Sequence, residues 1–430
     1  MLRIDPSHVH RARHPSLPAQ GPRAPSTARC ALPTVPAAST GARVHVYIRA
    51  CVRARPGPLQ SHRTGSTAAQ CASLAAARTV PSLRAPCSSQ PAIMAARALF
   101  VSLLLALCSA LGEGVSALRA RANGDAVKFD FTPFLIQYQS GRVQRLMGTS
   151  VVPPSVDART GVASTDVVVD QATGLAVRLY RPSRRGRLPV LLYFHGGAFV
   201  VESAFGPVYH NYLNVLAARA GVIAVSVNYR LAPEHTLPAA YDDSWTALQW
   251  VLSNARNGSG YGASWLSKHG DMSRLFVAGD SAGGNIAHNL AMRVGQQGLG
   301  QDDGKGRIKG VALLDPYFLG GHAGPWAERS WGFICAGRYG TEHPFVDPMA
   351  LPADAWRRLG AARVLVTKSG QDGLGPWQRA YVDALRGSGW GGQARLYETP
   401  GEGHCYFLNN LQSPKAAAHM ATVADFVSHS

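Results

Sequence analysis

Cysteine is scarce in the part of this 430-residue sequence that carries regular apolar patterns. Five of the seven cysteines lie within the first 108 residues, and only Cys335 and Cys405 follow. Two cysteines do not make a disulfide framework, and no spacing of cysteine and histidine is typical of a zinc site. The sequence therefore excludes a disulfide-rich scaffold and gives no reason to expect a bound metal.

Lysine is absent from residues 1–93, and Asp5 is the only acidic residue there, whereas twelve arginines are present. This basic tail therefore supplies eleven of the eighteen net positive charges of the chain. Because the charge is concentrated in a Pro-, Ala- and Ser-rich segment without apolar periodicity, it does not indicate a nucleic-acid partner. Three interpretations of the tail stay open: a disordered segment, an organelle transit peptide, and translated upstream sequence before a natural start at Met94.

A run of apolar residues long enough to span a membrane is also lacking. The run at 98–111 has fourteen residues, whereas a spanning helix needs about 20. Read from Met94, the segment 94–117 resembles a secretory signal peptide, with a short basic lead, an apolar run and small residues after it. We therefore predict a basic tail over 1–93, a signal-peptide-like segment over 94–117 and one folded domain over 118–430. The compartment is the secretory route if translation starts at Met94, and a plastid if the tail is a transit peptide.

Strand and helix patterns alternate through the folded domain. After a hairpin pattern at 165–180, continuous apolar runs typical of buried strands are separated by helical patterns. The runs lie at 190–194, 222–227, 275–278, 310–314, 363–367 and 394–397. This alternation predicts an α/β fold with a mostly parallel sheet and helices on both faces, whose active site lies at the carboxyl ends of the strands. The aromatic stretch at 129–138 predicts a short N-terminal helix, either at the mouth of a pocket or in ordinary packing.

The sharp turn after the strand at 275–278 carries the pattern Gly-x-Ser-x-Gly, with Gly279, Ser281 and Gly283 at the fixed places. A helical pattern follows at once, so the serine stands on a tight strand-to-helix turn. A side chain at either glycine would collide with the neighbouring backbone. The free N–H groups at the start of the helix point at the place where negative charge would develop. The pattern predicts that Ser281 is a nucleophile.

An oxyanion hole is the first feature that such a serine requires. The segment His195-Gly196-Gly197 directly follows the strand at 190–194. We predict that the backbone N–H groups of Gly196 and Gly197 stabilise the oxyanion from one side and that of Ala282 from the other. His195 is interpreted as a residue that structures this loop.

A base and an acid are the second requirement, and they should follow the serine in the chain. His404 lies in a loop after the last predicted strand and is the predicted base. Asp372 follows the preceding strand and is predicted to orient the imidazole. Asp383, on the next helix, and the more remote Asp347 are weaker candidates for the acid.

Together these motifs resemble plant carboxylesterases of the hormone-sensitive-lipase-like branch of the α/β hydrolases. The resemblance covers roughly 125–430 and rests on the stretches 195–199, 228–235, 237–243, 279–285, 315–318 and 401–404. It implies an α/β-hydrolase fold with an N-terminal helical cap, a triad of Ser281, Asp372 and His404, and hydrolysis of small carboxylic esters. It further implies a small-molecule ester as partner, no metal or organic cofactor, and a cytoplasmic location. Asp315 stands where these relatives often carry histidine.

The same family includes the gibberellin receptors, which have lost the catalytic histidine. Because His404 is present, the sequence favours a serine carboxylesterase that works through an acyl-enzyme. A non-hydrolytic hormone receptor and a lyase-type relative acting on a specialised metabolite stay open as alternatives. The sequence does not indicate an oligomeric state.

Overall fold

Eight strands form the central sheet of the computed structural model, which describes residues 125–299, 307–320 and 323–428. The basic tail and the signal-peptide-like segment lie outside the described residues. The eight strands are β4 Ala163–Asp170, β5 Leu175–Arg181, β6 Leu188–Phe194, β7 Ile223–Asn228, β8 Gly270–Asp280, β9 Gly310–Leu314, β10 Arg363–Ser369 and β11 Gln393–Thr399. Within the sheet they follow the order β11-β10-β9-β8-β6-β7-β5-β4.

The six strands from β6 to β11 run parallel, and the hairpin β4–β5 pairs antiparallel with β7 at one edge. The predicted mostly parallel sheet is therefore confirmed. Every residue of β6 is buried, and alternate residues enter two different cores. Val190 and Leu192 belong to the larger cluster, whereas Leu191 and Tyr193 belong to the smaller one. A strand buried on both faces explains the continuous apolar run in the sequence.

Helices cover both faces of this sheet, and each core lies between the sheet and one helical layer. The longer helices are α1 Pro207–Ala220, α2 Ala239–Asn257, α4 Ala282–Gln297, α5 Gly324–Ile334, α7 Gly375–Gly387 and α8 Pro414–Ser428. Two short helices are α3 Ala263–His269 and α6 Ala353–Arg357. The first and last of the longer helices pack against each other over the smaller core. Across the described ranges, we find no helix with the length and apolar character that crossing a membrane requires.

The predicted helix at 129–138 is wrong. This stretch forms β1 Val127–Phe131 and β2 Leu135–Tyr138, which pair antiparallel with β3 Val143–Arg145 in a separate three-stranded sheet, here called the N-terminal ribbon. Proline in the middle of the stretch, Pro133, cannot donate the backbone hydrogen bond that a helix interior requires. The described residues therefore place a β-ribbon where an N-terminal helical cap was expected.

Aromatic contacts hold the N-terminal ribbon against α5. The ring of Phe129 stacks on that of Phe333 with 4.2 Å between centroids, and Phe131 meets Trp326 edge-on at 5.7 Å. Each such pair stabilises the fold by about 0.5–1.5 kcal/mol beyond the contribution of the apolar area that it buries. The helix that packs on this aromatic stretch is therefore α5, a contact that the sequence pattern did not predict.

Arg145, at the end of β3, links the N-terminal ribbon to two loops that follow strands of the central sheet. Its Nε donates to the carbonyl oxygen of Val200 at 2.8 Å, and one terminal nitrogen donates to that of Ala232 at 3.3 Å. The guanidinium also forms a two-pronged pair with Glu234 at 2.8 and 2.7 Å. Paired contacts of this kind fix orientation as well as distance. Arg145 therefore positions the loop that follows β6.

Candidate active site

Ser281 stands between β8 and α4 in a backbone conformation that non-glycine residues rarely adopt, with φ 51° and ψ −117°. A side chain at Gly279 would collide with the backbone of Gly283, and one at Gly283 would collide with the carbonyl oxygen of Phe194. The two glycines thus permit the close approach of strand, turn and helix that holds the serine. Strain of this kind persists where the surrounding structure enforces it, and it clusters at functional sites.

The structure brings Ser281, His404 and Asp372 together in one hydrogen-bonded line. Ser281 Oγ lies 2.8 Å from His404 Nε2, and His404 Nδ1 lies 2.8 Å from Asp372 Oδ2. The tautomer with the proton on Nδ1 satisfies both contacts, because the ring then donates to the carboxylate and accepts from the hydroxyl. Asp372 is itself held by the backbone N–H of Leu374 at 2.9 Å and by Gln378 Nε2 at 2.8 Å.

The two weaker candidates for the acid lie elsewhere. Asp383 is exposed on α7 and faces Arg386 at 4.0 Å. Asp347 accepts a hydrogen bond from the backbone N–H of Met349 at 3.0 Å and caps a short 3₁₀ helix. Asp372 is thus the one of the three that contacts His404.

Burial and neighbouring charge act in opposite directions on the pKa values of His404 and Asp372. Burial by itself would lower the pKa of His404, but the hydrogen bond and negative charge of Asp372, with the charges of Asp315 and Asp280, outweigh it and raise that pKa. For Asp372, burial would raise the pKa, and the contacts with His404, Leu374 and Gln378 lower it overall. The site therefore favours an imidazolium paired with a carboxylate, which is the charge state that general base catalysis creates.

Asp315 is a second buried carboxylate whose charge acts on His404, and the sequence alone indicated no role for it. It follows β9 directly, has φ 44°, and accepts hydrogen bonds from Ser369 Oγ at 2.5 Å and from the backbone N–H of Cys405 at 2.9 Å. Cys405 is the residue after His404, so this contact fixes the loop that carries the imidazole. A polar residue directly after an apolar strand, at the carboxyl edge of the sheet, was the available signal.

Asp280 is a third buried carboxylate and supports the loop after β6. It accepts hydrogen bonds from the hydroxyls of Tyr193 at 2.8 Å and Tyr209 at 2.9 Å. Burial raises its pKa to about 6, against the lowering effect of these two hydroxyls. The Tyr209 hydroxyl in turn accepts from the backbone N–H of Gly196 at 2.8 Å. Asp280 thus holds the loop through one intervening tyrosine.

The same contact corrects the expectation for Gly196, because its N–H is already used by Tyr209. The next two residues, Gly197 and Ala198, line the cavity with φ values of 100° and 52°. No described residue accepts a hydrogen bond from either of their N–H groups. Ala282 begins α4, where the N–H has no acceptor within the helix. The backbone N–H groups that are left to stabilise an oxyanion are therefore those of Gly197, Ala198 and Ala282.

His195 is buried in this loop, as its interpretation as a structural residue requires. Its ring stacks on Tyr229 with 4.3 Å between centroids, and its Nδ1 lies 2.8 Å from the carbonyl oxygen of Gly196. Burial lowers its pKa to about 4. The ring is therefore neutral near pH 7 and supports the loop by packing.

A cavity of about 440 Å³ opens onto Ser281 and His404. Its wall is largely aromatic and aliphatic, which suits a small organic molecule. The apolar wall residues include Phe131, Phe134, Met147, Val208, Trp326, Leu374 and Leu408. Two of them, Phe131 and Phe134, come from the N-terminal ribbon.

Asp315, His404 and Cys405 approach one another closely enough to be considered as metal ligands, with donor atoms within 4.8 Å. Both ring nitrogens of His404 are already engaged, one by Ser281 and the other by Asp372. A metal ligand needs a free nitrogen lone pair, so this cluster does not suit a metal while the hydrogen-bonded line is intact.

A family model described as α/β hydrolase fold matches residues 191–408, which include the loop after β6, the serine turn and the histidine. The chain belongs to the hormone-sensitive-lipase-like α/β hydrolases. It is 40% identical to tuliposide A-converting enzyme 2, chloroplastic, from Tulipa gesneriana over 70% of this chain and 79% of that protein. It is 38% identical to 2-hydroxyisoflavanone dehydratase from Glycyrrhiza echinata over 69% and 95%.

Among solved structures, esterase LipW from Mycobacterium marinum is 27% identical, with a TM-score of 0.52, over 63% of this chain and 82% of that one. The predicted α/β-hydrolase fold is thereby confirmed. The named relatives of this α/β hydrolase are enzymes of different activities, so its particular reaction has to be argued from the site.

Proposed function

We propose that this α/β hydrolase is a serine carboxylesterase acting on small carboxylic esters. The observation that carries the proposal is the unbroken line from Ser281 Oγ through His404 to Asp372, which opens onto an apolar cavity. The gibberellin-receptor alternative is disfavoured, because a protein that only binds its ligand has no need of a base held against a serine.

In the proposed reaction, Ser281 Oγ attacks the ester carbonyl carbon while His404 Nε2 takes the hydroxyl proton. The carbonyl oxygen becomes negative and accepts hydrogen bonds from the N–H groups of Gly197, Ala198 and Ala282. The bond to the alcohol then breaks, and His404 returns the proton to the leaving oxygen. Water next attacks the acyl-enzyme, again through His404, and releases the acid with Ser281 restored.

The test uses the intact protein, a fluorophosphonate probe and a short series of p-nitrophenyl esters. The Ser281 oxygen should form a bond to phosphorus as fluoride leaves, and mass spectrometry should locate the adduct on the peptide that contains Ser281. A short-chain ester should slow this labelling and should itself be hydrolysed. A folded protein that neither reacts with the probe nor hydrolyses any ester of the series would contradict the proposal.

Removal of water from a hydroxylated small molecule is a second candidate, favoured by the dehydratase at 38% identity. It predicts a product lighter by one water and no released acid, which mass spectrometry distinguishes from ester hydrolysis.

Among the locations left open by the sequence, the word chloroplastic in the name of the tulip relative favours a plastid. Imaging of residues 1–117 fused to a fluorescent protein tests that location.

Asp315→Asn should move the acid limb of the kcat/KM profile to lower pH by roughly half a unit to one unit. The limb reports deprotonation of His404, whose pKa the negative charges of Asp372, Asp315 and Asp280 hold above the ordinary value of 6.5. Removing one of these charges makes the imidazolium less stable, so its pKa falls. The measurement is kcat/KM for p-nitrophenyl butyrate from pH 5 to 9.

Asp354→Asn is the matched control, because this carboxylate lies on the surface of α6 beside Arg358. Its profile should overlie that of the unsubstituted enzyme. A limb that stays in place in Asp315→Asn would show that Asp315 does not act on the charge of His404.

A further inference from the structure

Glu202 lines the same cavity as Ser281 and His404, and no step of the proposed mechanism uses it. Three other charged side chains face this cavity, namely Asp280, Asp372 and His404, and each is hydrogen-bonded to a neighbour. For the Glu202 carboxylate, by contrast, the described part of the chain supplies neither a hydrogen-bond donor nor a cation. The side chain is half-buried, and a carboxylate that loses part of its hydration without gaining a partner carries a cost, so its presence in a cavity wall calls for an explanation.

The backbone at Glu202 is also unusual. Its φ is 74°, in the left-handed region that side chains other than glycine rarely adopt. The residue follows the loop after β6 and lies against it, since a side chain at Gly197 would contact the Glu202 Cβ. An uncommon conformation next to the oxyanion donors is typical of a residue whose side chain is held in place for function.

Two phenols on which the charge of Glu202 acts are already committed to other partners. That charge adds to the burial that raises the pKa of Tyr209 and of Tyr229. The Tyr209 hydroxyl donates to Asp280, and the Tyr229 hydroxyl donates to the carbonyl oxygen of His195 at 2.8 Å. Neither proton is therefore available to Glu202, and burial raises the pKa of its own carboxyl. A donor for this carboxylate therefore comes from solvent or from a molecule that enters the cavity and displaces that solvent.

We propose that Glu202 is a substrate-recognition residue that accepts a hydrogen bond from an ester bearing a hydroxyl or protonated amine group. The proposal rests on the esterase function above and names the substrate class within it. A hydrogen bond to a charged acceptor is worth more than one between neutral groups. The same carboxylate repels a substrate that carries a second negative charge.

The experiment compares kcat/KM within three pairs of esters that are matched in shape. On the alcohol side, glyceryl 1-butyrate is paired with 2-methylbutyl butyrate, and 2-(dimethylamino)ethyl butyrate with 3-methylbutyl butyrate. On the acyl side, methyl 3-hydroxybutyrate is paired with methyl 3-methylbutyrate. The first and third pairs test a hydroxyl group, and the second tests a protonated amine. In the unsubstituted enzyme we expect the donor-bearing ester of at least one pair to be preferred by about tenfold or more.

Glu202→Leu should abolish this preference, and Glu202→Gln should retain part of it for a hydroxyl but lose it for the amine. Both variants keep a non-glycine residue at the same φ, so backbone strain is the same in each. The exposed Glu328 on α5 does not line the cavity, so Glu328→Leu is the matched control and should keep the preference. Thermal unfolding of each variant checks the fold.

The unsubstituted enzyme is decisive even if a variant fails to fold. Equal kcat/KM values within all three pairs would overturn the role of Glu202, as would a preference that survives in Glu202→Leu. Hydrolysis of apolar esters without any donor preference would thus leave the esterase function in place and remove only this inference. Absence of turnover on all six esters and on p-nitrophenyl esters would remove both.

Discussion

Ser281→Ala should lower kcat for p-nitrophenyl butyrate by about 10³-fold or more, a loss of the size expected for a member of a catalytic triad. The hydroxyl is the only group lost, and its oxygen lies 2.8 Å from His404 Nε2. Without it the ester has no nucleophile that the base can activate, although the oxyanion donors and the cavity remain. Steady-state kinetics at the pH optimum measures the effect.

The fold should survive this substitution, so that a loss of activity can be assigned to the chemistry and not to unfolding. We expect the thermal unfolding midpoint of Ser281→Ala to stay at or above that of the unsubstituted protein, because alanine avoids burying a hydroxyl in a strained turn. The fluorophosphonate adduct should disappear. An activity loss of less than tenfold in a folded variant would mean that another residue is the nucleophile.

Trp331→Ala should destabilise the fold by about 3–5 kcal/mol, as expected for loss of a fully buried tryptophan. Trp331 is 1% exposed on α5, and its indole N–H donates to the carbonyl oxygen of Gly340 at 3.0 Å. Its ring also meets that of Phe199, in the loop after β6, edge-on at 6.3 Å. The substitution therefore leaves a cavity, an unpaired carbonyl group and an unsupported loop. Urea denaturation followed by circular dichroism measures the shift in midpoint.

Trp326→Ala is the matched control, because the same residue type lies on the same helix but is 57% exposed. It should change the stability by less than about 1.5 kcal/mol, the upper value for the aromatic pair with Phe131 that it removes. Trp326 lines the cavity, so its removal should appear in KM for aromatic esters instead. Equal destabilisation by both substitutions would contradict the packing described for α5.

The sequence predicted the parts of the site that depend on short stretches of chain. Gly279 and Ser281 belong to one turn, and their spacing encodes its geometry directly. His404 and Asp372 were assigned from their places after successive strands, because topology brings the carboxyl ends of parallel strands to one edge. These inferences needed no knowledge of which side chains meet across the fold.

What the sequence did not predict depends on contacts between distant segments. The backbone N–H of Gly196 donates to the hydroxyl of Tyr209 on the following helix, and no local sequence pattern predicts that hydrogen bond. The unpartnered carboxylate of Glu202 can be recognised only from the structure, in which the hydroxyls of Tyr209 and Tyr229 donate to other groups. The aromatic run at 129–138 was predicted as a helix although Pro133 argues against one, and the structure pairs its two halves as antiparallel strands.

The N-terminal ribbon is synthesised first among the described elements, but its packing partner is synthesised much later. Phe129 stacks on Phe333, and Arg145 binds loops that include Val200 and Ala232. At roughly 5–20 residues per second, the ribosome adds Phe333 roughly ten to forty seconds after Phe129. Throughout that interval the aromatic face of the ribbon has no native surface to cover it. Translation speed and chaperone access thus become determinants of how much of this enzyme reaches its folded state.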